Sequence, residues 1–121
     1  MTVIYQTTFT KIGKFAREAL NENMLITFKQ GAPVDLEDYC FIHTHGELQG
    51  EVCIGDILQI GNEKFQITAI GSVASFNLKE LGHVTLRFDG ADNAEYPGTI
   101  HIKGNLLPHI SENTMLKIIR S

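Results

Sequence analysis

The sequence lacks several features that would mark a particular class of protein at once. It contains no tryptophan, and only two cysteines and three prolines occur among its 121 residues. Two cysteines cannot form a disulfide framework, so we expect Cys40 and Cys53 to be reduced thiols, at least one of them buried. No apolar run approaches the ~20 residues of a membrane-spanning helix, and the opening MTVIYQTTF does not have the pattern of a secretion signal. We therefore predict a cytoplasmic protein without direct membrane insertion.

The charge balance and the missing motifs exclude further functions. The formal net charge is −4, with 10 Lys and Arg against 14 Asp and Glu. Proteins that bind the nucleic-acid backbone usually have a basic stripe, so we predict no nucleic-acid partner. The chain has neither a Walker A loop nor a glycine fingerprint that follows a strand. If the protein handles phosphate, the group must arrive on another protein or on a small molecule.

The sequence does contain many short segments rich in β-forming residues. Hydrophobic residues make up 43% of the chain, which is enough for the core of one globular domain. There is no regular alternation of strands and helices, so a doubly wound parallel sheet is not expected. We predict an all-β fold, a single domain over residues 1–121 that forms a closed or nearly closed antiparallel β-barrel with one or two short helices. The predicted strands are 3–9, 24–28, 39–45, 56–60, 64–70, 83–89, 99–103 and 115–120.

Turn and helix signals complete this outline. Gly61-Asn62 indicates a hairpin between two of the predicted strands. Apolar residues recur at helical spacing in 14–20 and 72–81, and Gly82 is placed to end the second helix. A loop around Pro108 is expected to separate the last two strands.

The predicted strand 39–45 carries the most unusual pair of side chains. Because side chains alternate along a strand, Tyr39, Phe41, His43 and His45 should share one face. Strand packing does not require two imidazoles on one face, and the chain has only five histidines. The pair indicates a nucleophile, a proton relay or a metal site, although a core histidine bonded to the backbone is an equally acceptable interpretation.

A neutral imidazole is a good nucleophile near neutral pH, because its ordinary pKa is about 6.5. One nitrogen of His43 could attack a phosphoryl group while an acceptor held the other nitrogen and fixed the tautomer. Phosphoryl transfer otherwise requires mainly alignment and hydrogen-bond donors around the phosphoryl oxygens. The candidate donors are His45, His83, Arg87 and His101.

A cupin-like metal-binding enzyme is the alternative. His-x-His on a strand can offer two nitrogens to zinc or iron, and such a site would use His43, His45 and His101. The match to the cupin motifs is incomplete, because no glutamate has the spacing of the first motif. In the second motif Pro97 and Gly98 are adjacent, although one residue should separate them.

Three segments of the sequence resemble a known family. CFIHTHGEL, GSVASFNLKELGHVTLRFDG and AEYPGTIHIKG are similar to the glucitol/sorbitol-specific enzyme IIA component of the bacterial sugar phosphotransferase system. The opening MTVIYQTT and the segments MLITF and GAPVDLEDY fit the same family. The resemblance extends over about residues 1–104.

The resemblance implies a compact β-rich domain that carries phosphate on a histidine and needs no cofactor. Such a phosphocarrier takes the phosphoryl group from HPr and passes it to a cysteine of the sugar-specific IIB domain. The IIB and membrane-embedded IIC components then phosphorylate glucitol during import. The phosphorylated histidine of the family maps onto His43, within the His-x-His-Gly-Glu motif. An orienting or donor role for His45 is our own hypothesis, which comes from strand parity.

Docking of macromolecular partners gives a last expectation. We expect His43 to be exposed and surrounded by apolar surface from Tyr39 and Phe41, because transient partners exchange over small patches. An acidic rim would suit a basic partner such as HPr. The candidates for this rim are Asp35, Glu37, Asp38 and Glu47.

Overall fold

The computed structural model describes residues 1–104 and 110–120, which form a closed β-barrel of eight strands. The predicted loop around Pro108 lies outside the described residues. The strands are β1 (Thr2–Ile12), β2 (Met24–Lys29), β3 (Phe41–His43), β4 (Ile57–Ile60), β5 (Glu63–Ile70), β6 (Val84–Arg87), β7 (Thr99–Lys103) and β8 (Met115–Arg120). The helices are a 3₁₀ helix (Ala16–Glu22), α1 (Val34–Glu37) and α2 (Ala74–Leu81).

The barrel closes because β8 pairs with both β4 and the long first strand. Around the barrel the order is β1-β3-β2-β6-β7-β5-β4-β8, and β8 returns to β1. Closure pairs both sides of each described strand, which removes the exposed edges that promote aggregation. The prediction of a closed, mostly β domain is therefore confirmed.

Two strand pairs differ from the antiparallel prediction. β2 and β3 run parallel, and so do β6 and β7, which makes the barrel mixed. Parallel neighbours need a crossover connection rather than a tight turn. Residues 30–40, which include α1, make the first crossover, and residues 88–98 make the second.

The alternation of side chains divides the apolar residues between two clusters. The main cluster fills the barrel interior with the inward side chains of all eight strands, among them Phe9, Phe41 and Ile100. A second, smaller cluster lies on the outer face of β2 and β3 and consists of Phe28, Ala32, Cys40 and Ile42. Neighbouring residues of β3 therefore point to opposite faces of the barrel wall.

Helix α2 closes one end of the barrel. Ala74 and Leu78, four residues apart on one face of the helix, belong to the interior cluster. The helix ends at Gly82, whose φ of 58° is left-handed and whose N–H bonds the carbonyl of Leu78. This end agrees with the predicted position. The predicted helix at 14–20 is instead the 3₁₀ helix, which begins and ends slightly later in the chain.

The two cysteines are free thiols, as predicted. Cys40 is buried in the smaller cluster, and burial raises its pKa to about 11. Cys53 is exposed and lies beside the guanidinium group of Arg120. Among the described residues, no helix has the length and hydropathy needed to cross a lipid bilayer.

Candidate functional site: two imidazoles beneath the end of a helix

Strand β3 directs His43 into the barrel interior. Phe41 and His43 point inward, whereas Ile42 between them packs in the outer cluster. The His43 side chain is only 1% exposed. The expectation of an exposed ring is therefore wrong, because parity places position 43 on the interior face and the chain around Gly82 covers the outer side of the ring.

The hydrogen bonds of His43 define one tautomer. Its Nε2 lies 2.7 Å from the carbonyl oxygen of Gly82, which can only accept, so Nε2 carries the hydrogen. Its Nδ1 accepts the backbone N–H of His45 at 3.0 Å and lies 2.9 Å from the hydroxyl oxygen of Thr7. The lone pair of the ring is consequently on Nδ1, where the Thr7 hydroxyl donates to it.

The surroundings of His43 keep the ring neutral. Burial lowers its pKa to about 4, and the nearby His45 acts in the same direction, against the opposing effect of the hydrogen bond to Gly82. At neutral pH the imidazole carries no charge: one ring nitrogen holds a hydrogen and the other has a free electron pair. A nucleophile requires such a neutral ring.

His45 lies beside His43, as predicted, but not because the two residues share one face of a strand. The regular strand ends at His43, and His45 has a left-handed φ of 68°. Its ring nevertheless lies 5.8 Å from the His43 ring, measured between centroids. Its Nε2–H donates to the carbonyl of Lys79 at 2.9 Å, and the hydroxyl of Tyr5 donates to its Nδ1 at 2.8 Å. The two imidazoles are adjacent, but a turn rather than strand parity brings them together.

The two histidines are bonded in the same pattern. On one side, hydroxyl groups of Tyr5 and Thr7, two residues apart on β1, contact the two Nδ1 atoms. On the other side, the two Nε2–H groups donate to carbonyls at the C-terminal end of α2. Tyr5 and Thr7 were not predicted as site residues. The available signal was a threonine at an inward-facing position of a strand whose neighbours at 5 and 9 are aromatic.

The end of α2 has further side-chain donors. The last carbonyls of a helix have no intrahelical partner, and here Thr27 donates to Gly82 at 2.9 Å while Lys29 donates to Glu80 at 3.2 Å. A Cβ atom at position 82 would lie 2.5 Å from Cε1 of His43, so only glycine fits over this ring. The last turn of α2 and Gly82 therefore form a close cover of the site, and side-chain hydrogen bonds from β2, His43 and His45 attach it.

The space beneath the ring is small. The barrel interior beside His43 leaves a cavity of about 10 Å³, lined largely by aliphatic side chains such as Leu78 and Ile100. This volume is at the limit for a single water molecule. A group transferred to His43 can therefore not lie in the interior and must occupy the side of Gly82.

Other residues predicted near His43 lie elsewhere. Tyr39 is 54% exposed and stacks on Phe15 with ring centroids 5.4 Å apart, so it does not surround the site. Phe41 does lie beside His43 but is fully buried in the core. Of the four acidic rim candidates, Glu37 is paired with Lys11.

Three of the predicted donors also face away from His43. His83 donates from Nδ1 to the carbonyl of Thr27 at 2.9 Å, and Arg87 lies on the outer face of β6 against Met24. His101 donates from Nδ1 to Asp89 at 2.7 Å. Of the four predicted donors, His45 alone is in contact with His43.

The cupin-like alternative is not supported by this arrangement. His101 is on the outer face of β7, away from the interior that His43 faces, because its neighbours Ile100 and Ile102 point inward. Within residues 1–104 and 110–120, no three His, Cys, Asp or Glu side chains are grouped as metal ligands. The predicted trio of His43, His45 and His101 is therefore not assembled in the described structure.

Comparison with known proteins gives a consistent assignment. Residues 4–117 match the family model described as PTS system glucitol/sorbitol-specific IIA component, where PTS denotes the phosphotransferase system. Two relatives named PTS system glucitol/sorbitol-specific EIIA component, from Shigella flexneri and Escherichia coli, are 56% identical over 117 residues. Each alignment covers 97% of this chain and 95% of the relative.

A solved structure supports the same assignment. The crystal structure of the PTS system IIA component from Enterococcus faecalis superposes with a TM-score of 0.84 at 31% identity, covering 95% of this chain and 99% of that one. The barrel and its match to this structure define the class, which is a IIA component of the phosphotransferase system. Within that class, the chain belongs to the glucitol/sorbitol-specific IIA family, which confirms the resemblance seen in the sequence.

Proposed function

We propose that the protein is a phosphocarrier in which His43 accepts a phosphoryl group from phospho-HPr. His43 then passes the group to a cysteine of the glucitol/sorbitol IIB domain, which works with the membrane component IIC. One observation carries this proposal: His43 is a neutral imidazole with a pKa of about 4, and its three polar contacts, with a carbonyl oxygen, an amide N–H and a hydroxyl group, leave it a single tautomer. In this role the whole chain, 1–121, acts as one IIA domain in the cytoplasm.

We assign the phosphoryl group to Nε2 of His43. The amide N–H of His45 can only donate, so Nδ1 must keep a lone pair in any stable state of the ring. A neutral ring with a phosphoryl group on Nε2 meets this requirement, because the substituted nitrogen gives up its hydrogen and Nδ1 remains an acceptor. The interior cavity also excludes the group from the other side of the ring.

The chemical step exchanges one P–N bond for another. The P–N bond of the phosphohistidine donor breaks as the bond from phosphorus to Nε2 of His43 forms, and the donor imidazole takes up a proton. His43 loses the Nε2 proton to solvent, so the number of protons balances. Onward transfer breaks the new P–N bond as a P–S bond forms on the acceptor cysteine, whose thiol gives up its proton while Nε2 of His43 takes one up again. Because the phosphoryl group passes from one P–N bond to another, the step needs no nucleotide as a phosphoryl donor.

Access to Nε2 requires the cover to move. Gly82 lies directly over the ring, and its carbonyl occupies the position that the phosphoryl group would take. The contacts of α2 with the strands are few, and hydrogen bonds from side chains account for much of its attachment at this end. We propose that a docked partner shifts the last turn of α2, in the way that mobile covers complete other transfer sites.

The experiment is to incubate the protein with phospho-HPr and measure intact mass, followed by peptide mapping. We expect one acid-labile phosphate per chain on His43 and none on His43→Gln. The matched control is His83→Gln, which removes a ring at the same end of the barrel that bonds Thr27 rather than the site. Label that persists in His43→Gln would assign the acceptor to another residue.

The role of His45 is tested in the same assay. The ring of His45 donates to α2 and its backbone N–H holds Nδ1 of His43, so we propose that it orients the acceptor. His45→Gln keeps the backbone donor and a side-chain amide, and we expect slower transfer with full final occupancy. An unchanged rate in both directions would remove His45 from the proposal.

A further inference from the structure

A pair of threonine hydroxyls connects the buried nitrogen of His43 with the surface. The hydroxyl oxygen of Thr7 lies 2.9 Å from Nδ1 of His43 and 3.1 Å from the hydroxyl oxygen of Thr44. Thr7 is 4% exposed, whereas Thr44 is at the surface. The backbone N–H of Thr8 donates to the Thr44 hydroxyl at 3.3 Å. Two hydroxyl groups thus span the distance from solvent to the ring.

The direction of each hydrogen bond in this pair follows from its ends. Nδ1 has the lone pair, so Thr7 donates to it, and the Thr7 oxygen can then accept from Thr44. The Thr44 oxygen accepts from the N–H of Thr8, which can only donate. The hydrogens therefore all point toward the imidazole in the resting state.

Thr7 differs from the other contact of Nδ1 in what it can do. The amide N–H of His45 can donate a hydrogen bond but cannot accept a proton from the ring. The Thr7 hydroxyl can both donate and accept. Among the described residues in contact with Nδ1, it is the group able to move a proton to this nitrogen and away from it.

We propose that Thr7 is a positioning residue that, with Thr44, relays a proton between Nδ1 of His43 and solvent during phosphoryl transfer. The proposal rests on the proposed function, and it adds two residues for which that function alone gives no role. It explains how Nε2, which holds the hydrogen at rest, obtains the electron pair with which it attacks phosphorus.

The proton balance of the relay is as follows. Thr7 gives its proton to Nδ1 and takes one from Thr44, which takes one from water, while Nε2 releases its proton to solvent as Gly82 moves aside. Nε2 now has the lone pair and attacks. After the P–N bond has formed, the Nδ1 proton returns to solvent through Thr7 and Thr44. Nδ1 again accepts from Thr7 and His45, so the relay ends in its starting state.

The first measurement uses the unmodified protein. Nitrogen-15 NMR of the His43 ring distinguishes a protonated from an unprotonated ring nitrogen, and we expect hydrogen on Nε2 and a lone pair on Nδ1. A resting ring with hydrogen on Nδ1 would overturn the proposal whatever the variants do. This measurement is independent of phosphoryl transfer, so it does not depend on the partner proteins.

The second measurement compares Thr7→Val with Thr7→Ser. Valine has nearly the same shape without the hydroxyl, and serine keeps the hydroxyl. Proton-transfer groups typically contribute at least about 100-fold to a rate. Because water could replace part of the relay, we expect Thr7→Val to slow phosphorylation of His43 at least about tenfold, with little change in the KM for phospho-HPr. Thr7→Ser should stay within about threefold of the unmodified protein, and both variants should keep the hydrogen on Nε2, because the carbonyl of Gly82 and the N–H of His45 fix the tautomer.

Thr10→Val is the matched control, because Thr10 is also on β1 and its hydroxyl bonds the carbonyl of Ile42 rather than the ring. An unchanged rate in Thr7→Val would overturn the relay. If Thr7→Val fails to fold, Thr44→Val at the surface replaces it, and an unchanged rate there has the same meaning. If the unmodified protein takes up no phosphate, the proposed function fails as well. Label on His43 together with a normal rate in Thr7→Val would overturn the relay alone.

Discussion

His43 and His101 are both buried histidines on barrel strands, yet their surroundings differ in kind. Among the described residues, the hydrogen-bond partners of His43, which is 1% exposed, are uncharged: a carbonyl, an amide N–H and a hydroxyl. His101, 5% exposed, donates from Nδ1 to the carboxylate of Asp89. Although burial acts to raise it, the pKa of Asp89 lies below its ordinary value because His101 and the N–H of Ala91 hydrogen-bond the carboxylate.

The comparison shows how partners determine what a buried imidazole can do. Neutral partners give His43 no compensation for a positive charge, so the ring stays neutral and keeps an electron pair available. The carboxylate of Asp89 instead holds His101 in a hydrogen bond between β7 and the end of β6, which suits a structural contact. Burial is common to both residues, and the identity of the partner separates a candidate nucleophile from a structural histidine.

The largest effect that tests this difference is a loss of stability in acid. The pKa of His43 is about 4 in the folded state and about 6.5 when exposed, so between these values the unfolded chain binds more protons. The free energy of unfolding should therefore fall as the pH decreases from 6.5 to 4, by about 3 kcal/mol from this residue. Above pH 6.5 the contribution is complete.

Denaturant unfolding at several pH values measures this loss. The carboxylates also contribute to acid sensitivity, so the comparison is with His43→Gln, which cannot be protonated. The difference in pH dependence between the two proteins isolates the imidazole. Parallel curves would mean that His43 is not kept neutral by burial, and the contrast with His101 would disappear.

Much of the barrel could be predicted from alternation and turn signals, but the details of the site could not. The inward positions of β6 and β7 and the end of α2 at Gly82 follow from local pattern. Parity also placed His43 beside Phe41, yet it could not show that this shared face is the sealed interior. That property depends on which strands are neighbours and on α2 lying across the end of the barrel, and both are long-range features.

The parallel strand pairs and the roles of Thr7 and Tyr5 were missed for the same reason. A short strand has no local mark of the direction of its neighbour, so residues 30–40 could be interpreted as a loop as easily as a crossover. The hydroxyls of β1 meet the imidazoles only because β1 pairs with β3, far away along the chain. The sequence therefore indicated the histidine that we propose as the acceptor, but not the groups that contact its ring.

A smaller effect is expected when the cover over His43 is altered. At Gly82, alanine would bring its Cβ within 2.5 Å of the His43 ring in a left-handed backbone conformation. We expect Gly82→Ala to reduce the free energy of unfolding by about 2 kcal/mol, because backbone strain and the clash both act. Gly31→Ala is the control, since Gly31 has a φ of 88° but nothing within 4 Å of an added Cβ.

The difference between these two glycine variants measures the contact with His43. Gly31→Ala should lose about 1 kcal/mol, from backbone strain alone. Gly82→Ala should also move the His43 ring nitrogens in the NMR spectrum, whereas Gly31→Ala should not. Equal losses in the two variants, with an unshifted His43 spectrum, would show that Gly82 is not in close contact with the ring.

The smallest effect concerns the histidine on the outer face. The Asp89 side chain is 39% exposed, so solvent weakens its pairing with His101, and we expect Asp89→Asn to cost about 1 kcal/mol or less at neutral pH. Because the pKa of Asp89 is lowered in the folded state, its contribution is present at neutral pH and is lost as acid protonates the carboxylate. The variant should thus differ from the unmodified protein at pH 7 and converge with it in acid. His43 phosphorylation should be unaffected, because Asp89 and His101 lie on the outer face of the barrel. A slowed transfer would mean that His43 and His101 are coupled. In that case the identity of the hydrogen-bond partner would not by itself separate the roles of the two histidines.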